Sequence, residues 1–323
     1  PRAVGLIETR EESGSNDLEH YLKKNAARFG SPRLVCVLDS GAGNYEQLWL
    51  TSSLRGACAI DLNVRVLRQG MHSGTASGVV PSSFDVLRIL LDRIQDPRTG
   101  AILDPAFNVE IPSNRMDDLK KTAEVLGDGF ISEFPWAEGP NGSVQSRCRG
   151  TEEALIARCW KPTLSVTGAA GLPPLSMAGN SLRSDTTLRL SFRLPPTAKT
   201  ENILPALQKK LLTDPPFNAV VSIAGGDALP GWNAPSEADW FRSACDESSK
   251  ALWGKPAMRI GEGGSIPILN LFEAQFPRAQ FAVTGVLGPG SNAHNADESL
   301  DLAYTEKFIA AVGYLAASIP EEA

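Results

Sequence analysis

Residues 57–67 read ACAIDLNVRVL, and from Ile60 onward apolar and polar side chains alternate without a break. Ile60, Leu62, Val64 and Val66 fall on one face of an extended chain, and Asp61, Asn63 and Arg65 fall on the other. Such a strand has one dry and one wet face, so it belongs to a sheet covered on a single side. The runs at 3–7 (AVGLI) and 34–38 (LVCVL) show no alternation. Continuous apolar strands of that kind are buried on both faces, as in the parallel sheet of an α/β fold. One chain therefore needs two sheets of different kinds, and its 323 residues are enough for two domains.

The order of elements assigns the two sheets. Residues 3–8 read as a strand. A helix follows, with Asn16 and Glu19 spaced as a capping box and Gly30 as its stop. The run 34–38 is the next strand, so the first segment reads as a βαβ unit. Its loops place Glu11, Glu12 and Asp39 at one edge of the sheet, beyond the carboxyl ends of the strands, where open α/β sheets hold ligands. After Leu54-Arg55-Gly56 come the alternating strand, a helix at about 81–95, strands at 163–168 and 186–194, a helix at about 201–213 and a strand at 218–224. This β-α-β-β-α-β order is the ferredoxin-like pattern, with an insertion of about 60 residues after its first helix. Beyond Trp232 the first style resumes. A helix at 237–253 with Ser236 as its cap, a strand at 257–260, a helix opened by Pro267, a strand at 280–286 and a helix from about 302 to 318 complete the chain. The expected fold class is α/β, a parallel-sheet domain interrupted by a ferredoxin-like α+β domain. The divisions fall at 1–54, 55–232 and 233–323.

Composition removes some functions. A net charge of −6 without a long Lys/Arg cluster argues against nucleic acid as the partner. No apolar stretch approaches the roughly 20 residues of a membrane helix. The five cysteines form no C-x-x-C pair, which argues against a disulfide framework and for a reducing, cytoplasmic setting. Pro1 stands where an initiator Met would, so the true N-terminus is expected upstream, along with any targeting signal.

Adjacent acids such as Glu11 and Glu12 are usually solvated surface charge. At the mouth of a parallel sheet they would repel unless a cation offsets them or one stays protonated. Asp39 at the same edge makes three convergent acids, which suits a divalent metal, and zinc also takes imidazole. Of the three histidines, His20 lies within a helix and reads as surface. His72 follows the alternating strand in Gly70-Met71-His72-Ser73-Gly74, and His294 sits in the loop GPGSNAHNADE. The setting of His294 on the acid-bearing edge makes it the preferred imidazole ligand. Gly263-Gly264-Ser265 precedes a helix, where free N–H groups favour an anion, although an ordinary N-cap explains it equally well. Arg193 is evenly balanced between an exposed sheet charge and an anion clamp. Gly41-Ala42-Gly43 lacks the third glycine of a dinucleotide fingerprint, which leaves a weak NAD-binding reading. No G-x-S-x-G elbow supports a serine hydrolase.

Together the motifs ETREESGS, CVLDS, LRG, GMHSG, LSFRLPP, GEGGSIP and NAHNADE resemble the dinuclear zinc metallopeptidase family. That family includes carnosine-type dipeptidases, glutamate carboxypeptidase, acetylornithine deacetylase and succinyl-diaminopimelate desuccinylase. The HSG and GGSIP forms and Asp at position 39 are similar to the dipeptidase branch. The resemblance implies Glu11 as general base, Glu12 and His294 as ligands of one zinc, and Asp39 as ligand of the other. Mn2+ or Co2+ could replace zinc. It implies His72 reaching a partner subunit's site to steady the oxyanion, and Arg193, Asn180, Gly264 and Ser265 holding the substrate's carboxylate. It makes the parallel-sheet domain catalytic, and the ferredoxin-like domain a lid and homodimerisation module. The implied activity is hydrolysis of an amide bond in a dipeptide or N-acyl amino acid. The family's His-x-Asp motif and bridging Asp are not in this sequence. The alternative expectation is thus a truncated or inactive homologue that serves as a dimerising module, with partial or no metal occupancy.

Overall fold

The computed structural model describes residues 2–15 and 17–321, without the side chain of Glu12. Two sheet systems are present, as the two strand patterns require. The alternating strand is Gly56–Arg65, the second member of a four-stranded antiparallel sheet. The sheet order is Val220–Leu229, Gly56–Arg65, Asp185–Leu194, Thr163–Ala170. In chain order that is 4-1-3-2, the ferredoxin-like arrangement expected from β-α-β-β-α-β. Helices Ser83–Asp92 and Ile203–Leu212 cover its dry face. Ile60, Leu62 and Val64 pack there with Leu87, Leu90 and Leu207, all at most 1% exposed. The wet face carries polar ladders, among them the bidentate Arg189–Asp61 pair at 2.7 and 2.8 Å.

The second system is an α/β layer. Leu34–Val37 pairs in parallel with Gln280–Val283, and Trp49–Leu54 pairs in parallel with Met258–Glu262. The short strand Trp232–Asn233 joins Trp49–Leu54 antiparallel. Thr284 Oγ1 donates to Trp49 O at 2.6 Å and ties the two pairs side by side. Both faces are covered. On one, Trp49 and Ile260 pack against helices Asp239–Trp253 and Leu302–Ala317. On the other, Leu54, Phe281 and Val283 pack against Leu22, Leu269 and Phe272. Burial on both faces holds for Trp49–Leu54 and for most of Met258–Glu262. It does not hold for the unbroken apolar run at 34–38: Leu34–Val37 is half-buried with Cys36 exposed, and Leu38 is exposed as well.

Several local expectations need correction. Residues 3–8 are not a strand; Ile7 is 90% exposed, and Val4 and Leu6 are also exposed. An apolar run becomes a strand only where its N–H and C=O groups meet a ladder. Leu34–Val37 pairs among the described residues only with Gln280–Val283, and its other edge is not taken up by residues 3–8. The βαβ unit at 3–38 is therefore not formed here. The capping Asn16 lies outside the described residues, and the first helix breaks at Asn25 into Leu18–Lys24 and Ala26–Phe29. Helix Asp239–Trp253 takes Ala238 as its cap rather than Ser236. The strand Trp49–Leu54 has Thr51-Ser52-Ser53 at its centre, a polar stretch that hides it from an apolar-run reading, yet every residue in it is buried.

The insertion packs on the α/β layer. Helices Ser113–Leu126 and Thr151–Trp160 bury Leu119, Leu155, Cys159 and Trp160 in the same cluster as Trp49 and Ile260. Thr122 Oγ1 donates to Arg259 O at 2.7 Å, and Arg115 donates to Asn233 Oδ1 at 2.8 Å and Ala234 O at 2.6 Å. Chain continuity with the ferredoxin-like sheet thus does not decide what residues 113–160 pack on.

Candidate functional site

The strand ends of the α/β layer open on a cavity of about 500 Å³. Glu11, Asp39 and His294 line it, together with Gly264 and Ser265. Each reaches it by an identifiable local route. Glu11 opens a short 3₁₀ turn, Glu11–Ser13, closed by Gly14 in the left-handed region (φ 90°). Asp39 follows the strand Leu34–Val37 directly. His294 lies in a loop stitched to itself: Asn295 N donates to Asn292 O at 3.1 Å, and Ser299 N to Ser291 O at 2.8 Å. His294 has φ 61° and Asn292 φ 54°. Left-handed backbone at non-glycine residues is costly and collects at functional loops.

Asp39 is pinned to the chain that leads to His294. Thr284 N donates to Val37 O, and Ala42 N donates to Leu287 O at 2.9 Å. Between these bonds Gly285 and Ser40 run so close that a β-carbon on Gly285 would stand 1.8 Å from Ser40 O. Only glycine permits that approach. Gly41 and Gly43 are explained the same way. A β-carbon at Gly41 would meet Leu287 O at 3.1 Å, and one at Gly43 would meet the Trp49 ring at 2.8 Å. No helix starts after them, so nothing remains of the NAD-binding reading.

The Gly263–Ser265 turn lines the same cavity through Gly264 and Ser265. Ser265 Oγ donates to Arg55 O at 2.5 Å and accepts from Arg193 Nη1 at 3.4 Å. Arg193, Gly264 and Ser265 are thus brought together. Asn180 is not: it is exposed on another corner, where its carbonyl accepts from Ser73 N at 2.9 Å. His72 is on that corner, paired with Ser181 and exposed, its Nδ1 accepting from Gly74 N at 3.2 Å. Neither His72 nor Asn180 lines the cavity of its own chain. The Glu12 side chain lies outside the described residues.

The cavity also holds residues that sequence reading passed over. Glu262, Glu133 and Arg158 line it. Arg158 Nη2 lies 3.5 Å from Glu262 Oε2, and its guanidinium stands 4.7 Å over the Phe130 ring. Glu262 and Glu133 hold Arg158 in its charged form against its burial. Glu262 was visible in GEGGSIP; Arg158 and Glu133 come from the insertion, which carries no motif.

Asp39 and His294 are donor types that zinc accepts, yet the described residues include no group of three His, Cys, Asp or Glu disposed to hold a metal ion. A zinc site needs about four ligands, so these residues alone do not complete one.

No family model matches the chain. Among curated proteins, the cysteinylglycine-S-conjugate dipeptidase of Corynebacterium striatum is 25% identical over 304 residues, covering 92% of this chain and 62% of that protein. The Cys-Gly metallodipeptidase dug1 of Schizosaccharomyces pombe is 26% identical over 306 residues, covering 92% and 61%. Among solved structures, the dipeptidase Dug1p of Saccharomyces cerevisiae superposes with a TM-score of 0.76 at 22% identity, over 97% of this chain and 65% of that one. Beta-Ala-His dipeptidases are further relatives, and an M20 family metallo-carboxypeptidase shares the fold. The chain spans about three-fifths of the length of the curated relatives it matches. These homologues lie in the dipeptidase branch that the motifs resemble.

Proposed function

This chain is a homologue of the metallodipeptidases, and from that kinship we propose that it carries the proton-transfer and carboxylate-binding parts of a metal-dependent dipeptidase. The observation that supports this most directly is the cavity of about 500 Å³, which Glu11, Asp39 and His294 line together with the Gly264-Ser265 turn. A dipeptide has an amide bond to be cut and a terminal carboxylate to be held, and the two groups of residues answer to those two needs.

Glu12, Asp39 and His294 would be this chain's contribution to a metal centre, where divalent metal would supply an activated water at neutral pH. Glu11 takes the proton from the attacking water and returns it to the leaving amine. Arg193 and the backbone N–H groups of Gly264 and Ser265 hold the carboxylate. The Ser265 hydroxyl, bonded to Arg55 O, fixes the Arg193 guanidinium. A cationic clamp of this kind fixes the amide within reach of Glu11. His72 and Asn180 share an exposed corner remote from their own cavity. We therefore assign them to a second subunit's site in a homodimer built through the ferredoxin-like domain, which serves as the lid. The lid spans 55–232 apart from the segment 113–160, which stays with the catalytic layer. All five cysteines are free, in keeping with a cytoplasmic setting. No helix among the described residues is long and apolar enough to cross a membrane.

The test is Glu11→Gln, with zinc content and Cys-Gly hydrolysis measured together. Metal retention with at least about a hundredfold loss of turnover is expected. Turnover equal to wild type removes Glu11 as the base. A second reading follows from the incomplete ligand set: the chain is a non-catalytic dimerising homologue. Wild-type protein that binds no zinc and cleaves no dipeptide at any zinc concentration establishes that reading.

A further inference from the structure

Three chain crossings between the two sheet systems meet at one point, and a buried arginine occupies it. The crossings are 54–56, 160–163 and 230–232. They press together without room for side chains: a β-carbon on Gly56 would stand 2.4 Å from Leu229 O, and one on Gly231 would stand 2.7 Å from Leu54 O. Arg55 is 8% exposed. Its Nε donates to Gly263 O at 3.2 Å, and its Nη1 donates to Lys161 O at 3.4 Å and Thr163 Oγ1 at 3.3 Å. Burial, with the nearby Arg193 and Arg158 and against the pull of Cys159, lowers its pKa to about 10.

These contacts close a ring. Thr163 is the cross-strand partner of Arg193 at the end of the lid sheet. Arg193 donates to Ser265, Ser265 donates to the Arg55 carbonyl, and the Arg55 guanidinium returns to Thr163. The same guanidinium holds the carbonyl of Gly263, the first residue of the turn. One residue therefore touches the lid sheet, the end of the insertion and the Gly263–Ser265 turn.

We propose that Arg55 is a positioning residue that couples the lid sheet to the carboxylate-binding turn, so that the cradle of Arg193 and Ser265 depends on its guanidinium fork. The proposal rests on reading Arg193, Gly264 and Ser265 as the carboxylate cradle. A guanidinium suits the role because it is planar, always charged and presents its donors in a fixed fork. Lysine keeps the charge but not the fork.

Hydrolysis is first silenced with Glu11→Gln. Cys-Gly and its C-terminal amide are then titrated calorimetrically into that protein and into the same protein carrying Arg55→Lys or Thr163→Val. The parent is expected to favour the free acid. Arg55→Lys lowers that preference about tenfold by weakening acid binding alone. Thr163→Val, which removes only the lid-side acceptor, lowers it in the same direction and keeps the decision open if Arg55→Lys does not fold. A merely structural Arg55 would weaken acid and amide together and leave the ratio unmoved. An unmoved ratio in the folded variants overturns the coupling. A parent that binds acid and amide alike overturns the cradle itself, and the inference with it.

Discussion

Gly285→Ala is a one-carbon test of how Asp39 and His294 are held in register. A β-carbon there would stand 1.8 Å from Ser40 O and 2.7 Å from Ser40 C. Ordinary contact between such atoms is about 3.5 Å, so the chain at Ser40 must move away by roughly 1.5 Å. Ser40 is 7% exposed and its hydroxyl is bonded to Thr51, so it has little room to yield. Overpacking of this kind costs about 1–3 kcal/mol, read as a lower urea midpoint. The larger effect falls on the site. Asp39 precedes Ser40, and the chain after Gly285 leads to the His294 loop, so the displacement enters the distance between the two side chains directly. A misplacement of about 1 Å can cost about a hundredfold in turnover, to be measured as Cys-Gly hydrolysis. Gly254→Ala is the control. Gly254 also has a left-handed φ of 79° but faces open space at a helix end. It should lose about 1 kcal/mol and no turnover. If Gly285→Ala loses stability but keeps wild-type hydrolysis, the Gly285–Ser40 approach is packing alone, and the reasoning that links it to the site is wrong.

Two further predictions concern the charges that anchor the insertion and the strand Met258–Glu262. Arg259 is 7% exposed, donates to both oxygens of Glu237 at 3.0 and 3.1 Å and to Asp246 at 2.9 Å. Arg259→Met should cost about 2 kcal/mol by removing charged hydrogen bonds from the half-buried Glu237, which keeps Arg242, and from Asp246, and adding Glu237→Gln should recover part of that loss in urea unfolding. Burial raises the Asp118 carboxyl above its usual range, against the pull of Arg115. The folded protein then keeps a proton that the unfolded chain has released, so this contribution is whole below the ordinary carboxylate pKa and is lost as pH rises through the raised one. Asp118→Asn should flatten that fall in urea midpoints above about pH 4; an unchanged slope refutes the assignment.

Periodicity made the ferredoxin-like sheet legible because each of its strands meets a single core. Ile60 to Val66 announces which face is dry, and the partners Leu188, Leu190 and Phe192 repeat the same beat. The α/β layer was less legible where burial is polar. Thr51, Ser52 and Ser53 are at most 5% exposed. Thr51 and Ser52 are satisfied by the bonds Ser40–Thr51 and Ser52–Ile260 O, while the buried Ser53 hydroxyl has no partner among the described residues. Hydrogen-bonded hydroxyls can line a core that apolar scoring does not find. The error at 3–8 is the reverse. Its residues are apolar enough for a strand, but hydrophobicity does not supply a hydrogen-bonding neighbour.

The same division runs through the site. Asp39 and His294 were legible because each follows an apolar run that does form a strand, and the ends of such strands gather at one edge of a layered sheet. Glu11 lines the same cavity although the run before it forms no strand, so the strand-end rule that placed it there does not hold for it. Arg158 and Glu133 had no such signal. Arg158 lies on helix Thr151–Trp160, and Glu133 follows the short helix Gly129–Ser132. The docking of helices Ser113–Leu126 and Thr151–Trp160 on Met258–Glu262 depends on tertiary contacts such as Thr122 Oγ1 to Arg259 O and Cys159 Sγ to Gly261 O. Gly261 is glycine because a β-carbon there would stand 2.8 Å from Cys159 Cβ. That packing sets the distance between Arg158 and Glu262, and so the charge on the wall of the cavity. Arg55 stood in the motif LRG, yet its role rests on three acceptors at 161, 163 and 263, more than a hundred positions away. A spacing rule reads residues that one element brings together. Residues joined by the meeting of three chain segments are readable only when the crossing is seen.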